Sequence, residues 1–232
     1  MDIVFYPQKT EWEGLTKRPV YNQEKLFKSV RNIFNDVKNK GDNAIVEYTS
    51  KFDNITPQTL SISENAIKAS GAQLQSELKD AINIAKYNIE KFHNSQKENI
   101  NIIEALPGVK CWRQSHPIEN VGLYIPGGSA PLFSSLLMLG IPAKLAGCQQ
   151  IIVCTPPNAA GEVEDIILYT AKVIGLDSIY CVGGAQAIAA MTFGTNTIPA
   201  VDKILGPGNQ YVTAAKQLAT LEGVAIDMPA GP

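Results

Sequence analysis

The sequence is poor in the side chains that bind metal ions and nucleic acids. Its 232 residues include two histidines, His93 and His116, and no HxH or HxxxH pair. A self-contained metal site built on imidazoles is therefore not expected. Charged residues make up 18% of the chain, with 20 Lys and Arg against 22 Asp and Glu. This near-neutral charge balance argues against binding to nucleic acid or to an anionic membrane surface.

Cysteine is also scarce. The four cysteines form no CxxC pair and are too few for a disulfide scaffold; they are Cys111, Cys148, Cys154 and Cys181. Reduced thiols and a cytoplasmic location are the expectation from this usage. The N-terminal residues 1–4 include an acid and lack a basic segment, so no signal peptide is expected.

Two stretches, 120–143 and 178–201, carry no charged residue over 24 positions each. That length is sufficient for a membrane-spanning helix. Proline and glycine interrupt both stretches, as at Pro142 and at Gly183-Gly184. We interpret them as buried strand–turn–helix units and expect no membrane partner.

The composition changes near residue 120. Residues 1–120 hold 31 of the 42 charged residues and 4 of the 18 glycines, and residues 121–232 hold the other 11 and 14. The first part is predicted to be mainly helical, because apolar residues recur at spacings of three and four. Pro107-Gly108 between two apolar segments predicts a β-hairpin. We predict two domains: an incomplete helical first domain over 1–120, and a second over 121–232.

The second part alternates between short apolar segments and helical ones, which is typical of βαβ units and a parallel sheet. The predicted strands are Val121–Ile125, Ile151–Cys154, Ile179–Val182, Lys203–Leu205 and Val224–Ile226. The predicted helices span 132–147, 162–174, 185–194 and 209–221. The expected fold class is α/β, a Rossmann-like parallel sheet sandwich preceded by a mainly helical segment with a β-hairpin.

Three glycine turns follow predicted strands and would share one edge of the sheet. They are Pro126-Gly127-Gly128-Ser129, Gly183-Gly184-Ala185-Gln186 and Gly206-Pro207-Gly208-Asn209. Open α/β sheets bind ligands at this edge, and helix N-termini there favour phosphate groups. No GxGxxG or GxxxxGK[ST] motif is present. A nucleotide site and plain chain reversal therefore both remain open.

Three side chains at this edge are candidate ligand residues, and each has a structural alternative. Tyr124 ends the first strand and is otherwise a core aromatic. Gln186 and Asn209 are amides at helix starts, where Asn209 in particular would serve as an N-cap. Cys154 ends the second strand and is either a nucleophile or a buried structural thiol. Asp227 follows the last strand at the same edge.

Four segments in this order resemble histidinol dehydrogenases. They are 121–135 (VGLYIPGGSAPLFSS), 182–190 (VGGAQAIAA), 202–209 (DKILGPGN) and 225–232 (AIDMPAGP). Weaker agreement in the first half includes Arg18-Pro19 and Phe52-Asp53. The resemblance covers essentially the whole chain.

The resemblance implies an NAD- and zinc-dependent enzyme of histidine biosynthesis. The family oxidises L-histidinol to L-histidine through histidinaldehyde in two hydride transfers, and its members are homodimers. The family's NAD-contacting positions match Tyr124, Gln186 and Asn209 here. The family's substrate serine, zinc ligands and Glu-His pair have no match in 1–232, so we assign no catalytic residue and no metal ligand.

Family members are nearly twice this length, so the resemblance implies a truncated N-terminal half that carries part of the NAD site and is inactive alone. We expect the apolar stripes of 1–120 to lack their packing partners in such a segment. Three other interpretations stay open: a non-catalytic nucleotide-binding domain, a thiol-dependent aldehyde dehydrogenase using Cys154, and an interaction protein whose glycine turns bind nothing.

Overall fold

The structure is a computed structural model that describes residues 4–17, 23–127 and 131–228. Parts of three sequence features lie outside the described residues. These are the Arg18-Pro19 pair, Gly128 and Ser129 of the first glycine turn, and residues 229–232 of the last matching segment.

Helices and strands follow one another along the chain with short connections. After a 3₁₀ turn at Lys9–Glu11, the helices are α1 (Trp12–Thr16), α2 (Gln23–Lys40), α3 (Asp42–Asp53), α4 (Glu64–Ala69), α5 (Ser76–Asn94), α6 (Phe133–Ala146), α7 (Asp165–Ile174), α8 (Gly184–Phe193) and α9 (Gln210–Leu221). The strands are β1 (Ile102–Leu106), β2 (Val109–Trp112), β3 (Asn120–Tyr124), β4 (Gln150–Thr155), β5 (Ser178–Cys181), β6 (Lys203–Leu205) and β7 (Ala225–Ile226).

Strands β3 to β7 form one parallel sheet in the order β5-β4-β3-β6-β7. Numbered along the chain, this is the order 3-2-1-4-5 of the Rossmann fold. The chain runs outward from β3 in one direction and then returns to β6 on the other side, so the topological switch point lies between β3 and β6. The antiparallel pair β1–β2 forms a separate hairpin. The predicted α/β fold class is confirmed.

Helices α2 to α5 share the core of this sheet, contrary to the expectation that the apolar stripes of 1–120 would lack partners. On one face, α2 packs against α8 and α9, and its residues Val30, Phe34 and Val37 are buried there. On the other face, Ile82 of α5 is buried with residues of α6 and α7. The reason is that the helices of the second half offer apolar outer surfaces that the stripes cover. The division into two domains at residue 120 stays a prediction.

Part of the apolar surface remains exposed. Every residue of β1 and β2 is exposed, and so are Ile84, Tyr87 and Phe92 on α5. The sequence predicts an apolar stripe that runs from Leu74 to Phe92, and the exposure of Phe92 shows that its C-terminal end does lack a partner. Within the described ranges, no helix combines the length and apolar character needed to cross a membrane.

Candidate functional site

A cavity of about 800 Å³ opens at the carboxyl edge of the sheet, where the three glycine turns were predicted to meet. Its volume lies in the range of small-molecule and cofactor sites, roughly 300–1,000 Å³. One wall is formed by the end of β3, by the segments that follow β3 and β4, and by the first turns of α8 and α9, while α2 and α3 form the opposite wall. The lining side chains that carry polar or charged groups are Ser29, Asn32, Tyr48, Lys51, Asp53, Tyr124, Gln186, Asn209 and Tyr211.

The cavity brings together all three candidate residues of the sequence. Tyr124 is the last residue of β3 and is 4% exposed. Its hydroxyl accepts a hydrogen bond from the amide of Gly184 at 3.0 Å. Burial raises the pKa of Tyr124 to about 12, with the Gly184 bond acting in the other direction. The phenol is therefore neutral near pH 7 and keeps its proton as a donor.

Gln186 lies in the first turn of α8 and is 1% exposed. Its Oε1 is buried and has no hydrogen-bond partner among the described residues. A buried acceptor without a donor costs about 1–3 kcal/mol. The side chain lines the cavity, so a ligand that donates a hydrogen bond there would remove this cost.

Asn209 is the N-cap of α9, as its structural alternative predicted. Its Oδ1 accepts hydrogen bonds from the amides of Tyr211 at 3.0 Å and Val212 at 3.1 Å. This capping fixes the side chain and uses its oxygen. The amide nitrogen of Asn209 is the group that can contact a ligand in the cavity, as a donor.

A buried ion pair holds the third glycine turn against α9 and the end of β7. Lys216, which is 5% exposed, donates to the carbonyl of Gly206 at 2.9 Å and pairs with Asp227. Asp227 in turn accepts from the Gly206 amide at 2.8 Å. Asp227 therefore lies at the carboxyl edge of the sheet, as the sequence predicted. Its observed contacts are with the Gly206 amide and Lys216, so it stabilises the turn. The pair fixes the turn that leads to Asn209.

Gly206 itself is required by its surroundings. Its φ is 133°, and a Cβ at this position would lie 2.0 Å from the carbonyl oxygen of Tyr124. Both the backbone conformation and the close approach exclude a side chain. The sequence motif thus reflects a tight contact between β6 and β3 beside the cavity.

Replacing Gly206 by alanine is expected to lower the free energy of unfolding by about 3 kcal/mol or more, because overpacking adds to the cost of a positive φ. Gly223→Ala is the matched control, since Gly223 also has a positive φ of 93° but nothing within 4 Å of its Cβ position. This control is expected to cost about 1 kcal/mol. Urea unfolding of both variants measures the difference, and equal costs would contradict the assigned contact.

The wall formed by α3 was not found from the sequence as part of the site. Tyr48 and Phe52 stack with ring centroids 5.5 Å apart, and Lys51 and Asp53 also line the cavity. Asp53 is partly buried; its Oδ2 has no partner among the described residues, and burial raises the pKa of its carboxyl group. The resemblance at Phe52-Asp53 was the one signal in the sequence, and nothing local indicated that α3 faces the strand ends.

The thiols do not provide a nucleophile at this edge. Cys154 is fully buried, and this burial strongly raises the pKa of its thiol. A nucleophilic cysteine needs a lowered pKa and access to substrate, so the structural alternative holds for Cys154. Within the described ranges, no three His, Cys, Asp or Glu side chains are grouped to hold a metal ion.

The fold and the cavity define an α/β protein of the Rossmann-like class with a cavity of cofactor size beside its topological switch point. The model of the family "Histidinol dehydrogenase" matches residues 16–232. The chain is 51% identical to a histidinol dehydrogenase of Bacteroides thetaiotaomicron over 232 residues, covering 100% of this chain and 54% of that protein. It is 48% identical to one from Escherichia coli over 221 residues, covering 94% and 50%.

A solved structure agrees with these relatives. The crystal structure of histidinol dehydrogenase from Elizabethkingia anophelis superimposes with a TM-score of 0.91 at 58% identity, covering 97% of this chain and 52% of that chain. The chain belongs to the histidinol dehydrogenase family. It spans about half the length of the curated relatives that it matches.

Proposed function

We propose that this chain supplies the NAD-binding part of a histidinol dehydrogenase. The complete enzyme would be NAD- and zinc-dependent and would oxidise L-histidinol to L-histidine through histidinaldehyde in two hydride transfers. The observation that supports this is the cavity at the switch point, where Tyr124, Gln186 and Asn209 meet beside a glycine turn. Family membership supplies the reaction.

The residues that line the cavity fit a dinucleotide. Gln186 offers an unpaired buried acceptor, and Tyr124 and Asn209 offer donors. The backbone is also closely packed there, because a Cβ on Gly183 would lie 2.4 Å from Pro156. The lack of a side chain at Gly183 lets the main chain pack closely beside the cavity. The amides of Gly184, Tyr211 and Val212 are already bonded to Tyr124 and Asn209, so the fit to a dinucleotide rests on the side chains.

NAD would supply the hydride acceptor, and the chain's own residues would bind and orient it. Tyr124 and Gln186 are held by the end of β3 and the start of α8, so they form a rigid pair on the sheet side. The helices α2 and α3 line the other side of the cavity. The expected contribution of this chain is positioning rather than proton transfer.

Zinc does not fit the described residues, because no suitable group of ligands is present among them. We propose that the zinc ligands and the substrate-binding and acid–base groups of the complete enzyme belong to other residues. The complete enzyme would be a cytoplasmic homodimer without nucleic-acid or membrane partners. The 232 residues alone would bind NAD without oxidising histidinol.

Calorimetric titration of the chain with NAD tests this proposal. Gln186→Leu is expected to weaken NAD binding by about 10-fold or more, because the ligand loses an acceptor. The same variant is expected to unfold at equal or higher urea concentration, since it removes an unpaired buried oxygen. Gln217→Leu, an amide change on α9 outside the cavity, is the control.

Two results would contradict the proposal. One is the absence of NAD binding to the wild-type chain at millimolar concentration. The other is wild-type affinity in Gln186→Leu, which would place the dinucleotide elsewhere. Incubation with histidinol, NAD and zinc adds the catalytic test. NADH formation by the chain alone would show that its own residues complete the active site, whereas binding without NADH fits a cofactor-binding part.

A further inference from the structure

The cavity contains an acidic side chain in an unfavourable local setting. Asp53 is the last residue of α3, where the helix dipole favours a cation and disfavours a carboxylate. Its Oδ2 is buried and has no hydrogen-bond partner among the described residues. The site therefore carries two unpaired buried acceptors, the other being Gln186, which is 1% exposed. Both acceptors line the same cavity, so a ligand that donates hydrogen bonds to them would bind favourably there.

The position of Asp53 can be located relative to the strands. Asp53 lines the cavity together with Tyr124, the last residue of β3, and with Pro156 and Pro157, which directly follow β4. The next residues agree, because Ile55 Cγ2 lies 3.2 Å from where a Cβ of Gly161 would be, in the loop that follows β4. The carboxylate of Asp53 thus lies near the carboxyl end of β4.

This location has a defined role in dinucleotide-binding Rossmann folds. An acidic residue after the second strand of the unit accepts hydrogen bonds from the ribose that carries the adenine, and an unmodified 2′-hydroxyl is required for that contact. Here the second strand is β4, and the residues directly after it, Pro156-Pro157-Asn158, include no acid; the first acid of that loop is Glu162. The sequence therefore places no carboxylate directly at the end of this strand, and Asp53 of α3 provides one there.

We propose that the Asp53 carboxylate accepts hydrogen bonds from the hydroxyls of the adenine-bearing ribose, and that it thereby selects NAD over NADP. The inference rests on the proposed function and specifies which cofactor the site takes. The 2′-phosphate of NADP would lie against this carboxylate, whose charge is only partly screened, and would be repelled by it. NADP also lacks the 2′-hydroxyl that would donate a hydrogen bond to Asp53. Phe52, the neighbour of Asp53, presents a half-exposed ring to the cavity, which suits the attached purine.

The test compares NAD and NADP affinities of the wild-type chain and Asp53→Asn by calorimetry. Asn keeps the shape of the side chain and removes its charge. We expect NAD binding to weaken by about 10- to 100-fold, the range of a lost charge-assisted hydrogen bond. NADP binding should weaken less or improve, so the preference for NAD falls. Glu47→Gln on the same helix is the control, because Glu47 is exposed, faces Lys40 and does not line the cavity.

Thermal unfolding separates a ligand-binding role from a structural one. Removal of an unpaired charge at a helix C-terminus should raise the midpoint by about 2 °C or more, whereas loss of a structural contact would lower it. Asp53→Glu provides a second variant. Glutamate keeps the negative charge but moves the carboxylate by one methylene group. NAD binding should therefore weaken, while the charge still repels NADP.

Several outcomes would overturn the inference. If Asp53→Asn weakens the binding of NAD and of NADP equally, the carboxylate contacts a part of the dinucleotide that both cofactors share. If both affinities are unchanged, the carboxylate does not contact the cofactor. If the wild-type chain binds neither NAD nor NADP, the proposed function fails together with this inference. If it binds NAD and only the selectivity result is negative, the inference alone fails.

Discussion

Lys216→Met is expected to lower the free energy of unfolding by about 3 kcal/mol, the low end of the range for breaking a buried ion pair. The change removes the hydrogen bond to Gly206 and leaves the Asp227 carboxylate without its cation. Because the Asp227 side chain is 29% exposed, water can replace part of the loss. We expect NAD binding to weaken as well, since the freed turn leads to Asn209. Urea unfolding and calorimetry measure the two effects.

Lys144→Met is the matched control. Lys144 also donates to a glycine carbonyl, that of Gly175 at 3.0 Å, but it is exposed and no carboxylate among the described residues accepts from it. This variant is expected to cost less than about 1 kcal/mol. The double variant Lys216→Met/Asp227→Leu should cost less than the sum of its single changes. Additive costs, or a Lys216→Met variant as stable as the control, would show that the pair does not hold the turn.

The stability of the protein is expected to fall at alkaline pH through Tyr124. Its pKa is raised to about 12 in the folded state, against 10.0 for the unperturbed group. As the pH rises, Tyr124 loses its proton in the unfolded chain at a lower pH than in the folded chain. Its contribution to the free energy of unfolding is therefore fully present below pH 10 and is lost as the pH rises toward 12. At pH 11 the ionisation of Tyr124 lowers the free energy of unfolding by about 1.4 kcal/mol.

Comparison with Tyr124→Phe isolates this contribution. At pH 8 the variant should be less stable by about 1 kcal/mol, because Gly184 loses its acceptor. The difference should shrink and then reverse in sign between pH 10 and 12, since phenylalanine does not ionise. Urea unfolding at pH 8, 10 and 11 provides the three points. A difference that stays constant with pH would contradict the burial assigned to this hydroxyl.

The sheet could be predicted closely because its signals are local. Strand β6 was predicted at Lys203–Leu205 and has those bounds, and the other four strands of the sheet differ by at most one residue at either end. Short runs of buried apolar residues are bounded there by glycine and proline, which punctuate strands clearly. The carboxyl edge followed from the parallel arrangement, and with it the meeting of Tyr124, Gln186 and Asn209 in one cavity.

The other wall of the cavity could not be predicted for a physical reason. The apolar stripe of α2 shows that the helix packs on something, but periodicity does not say on what. Its partners, α8 and α9, are more than 140 residues further along the chain. The contributions of Lys51, Phe52 and Asp53 depend on that packing, so local patterns carried no sign of them. The same limit produced the wrong expectation that the stripe of α2 would be left without a partner.

The most direct test of the central claim is a crystal structure of this chain grown with saturating NAD. We expect the dinucleotide in the cavity between the carboxyl edge of the sheet and helix α3, with the Gln186 Oε1 and the Asp53 carboxylate each accepting a hydrogen bond from it. Dinucleotide bound at another surface, with this cavity holding water alone, would contradict NAD binding at this site.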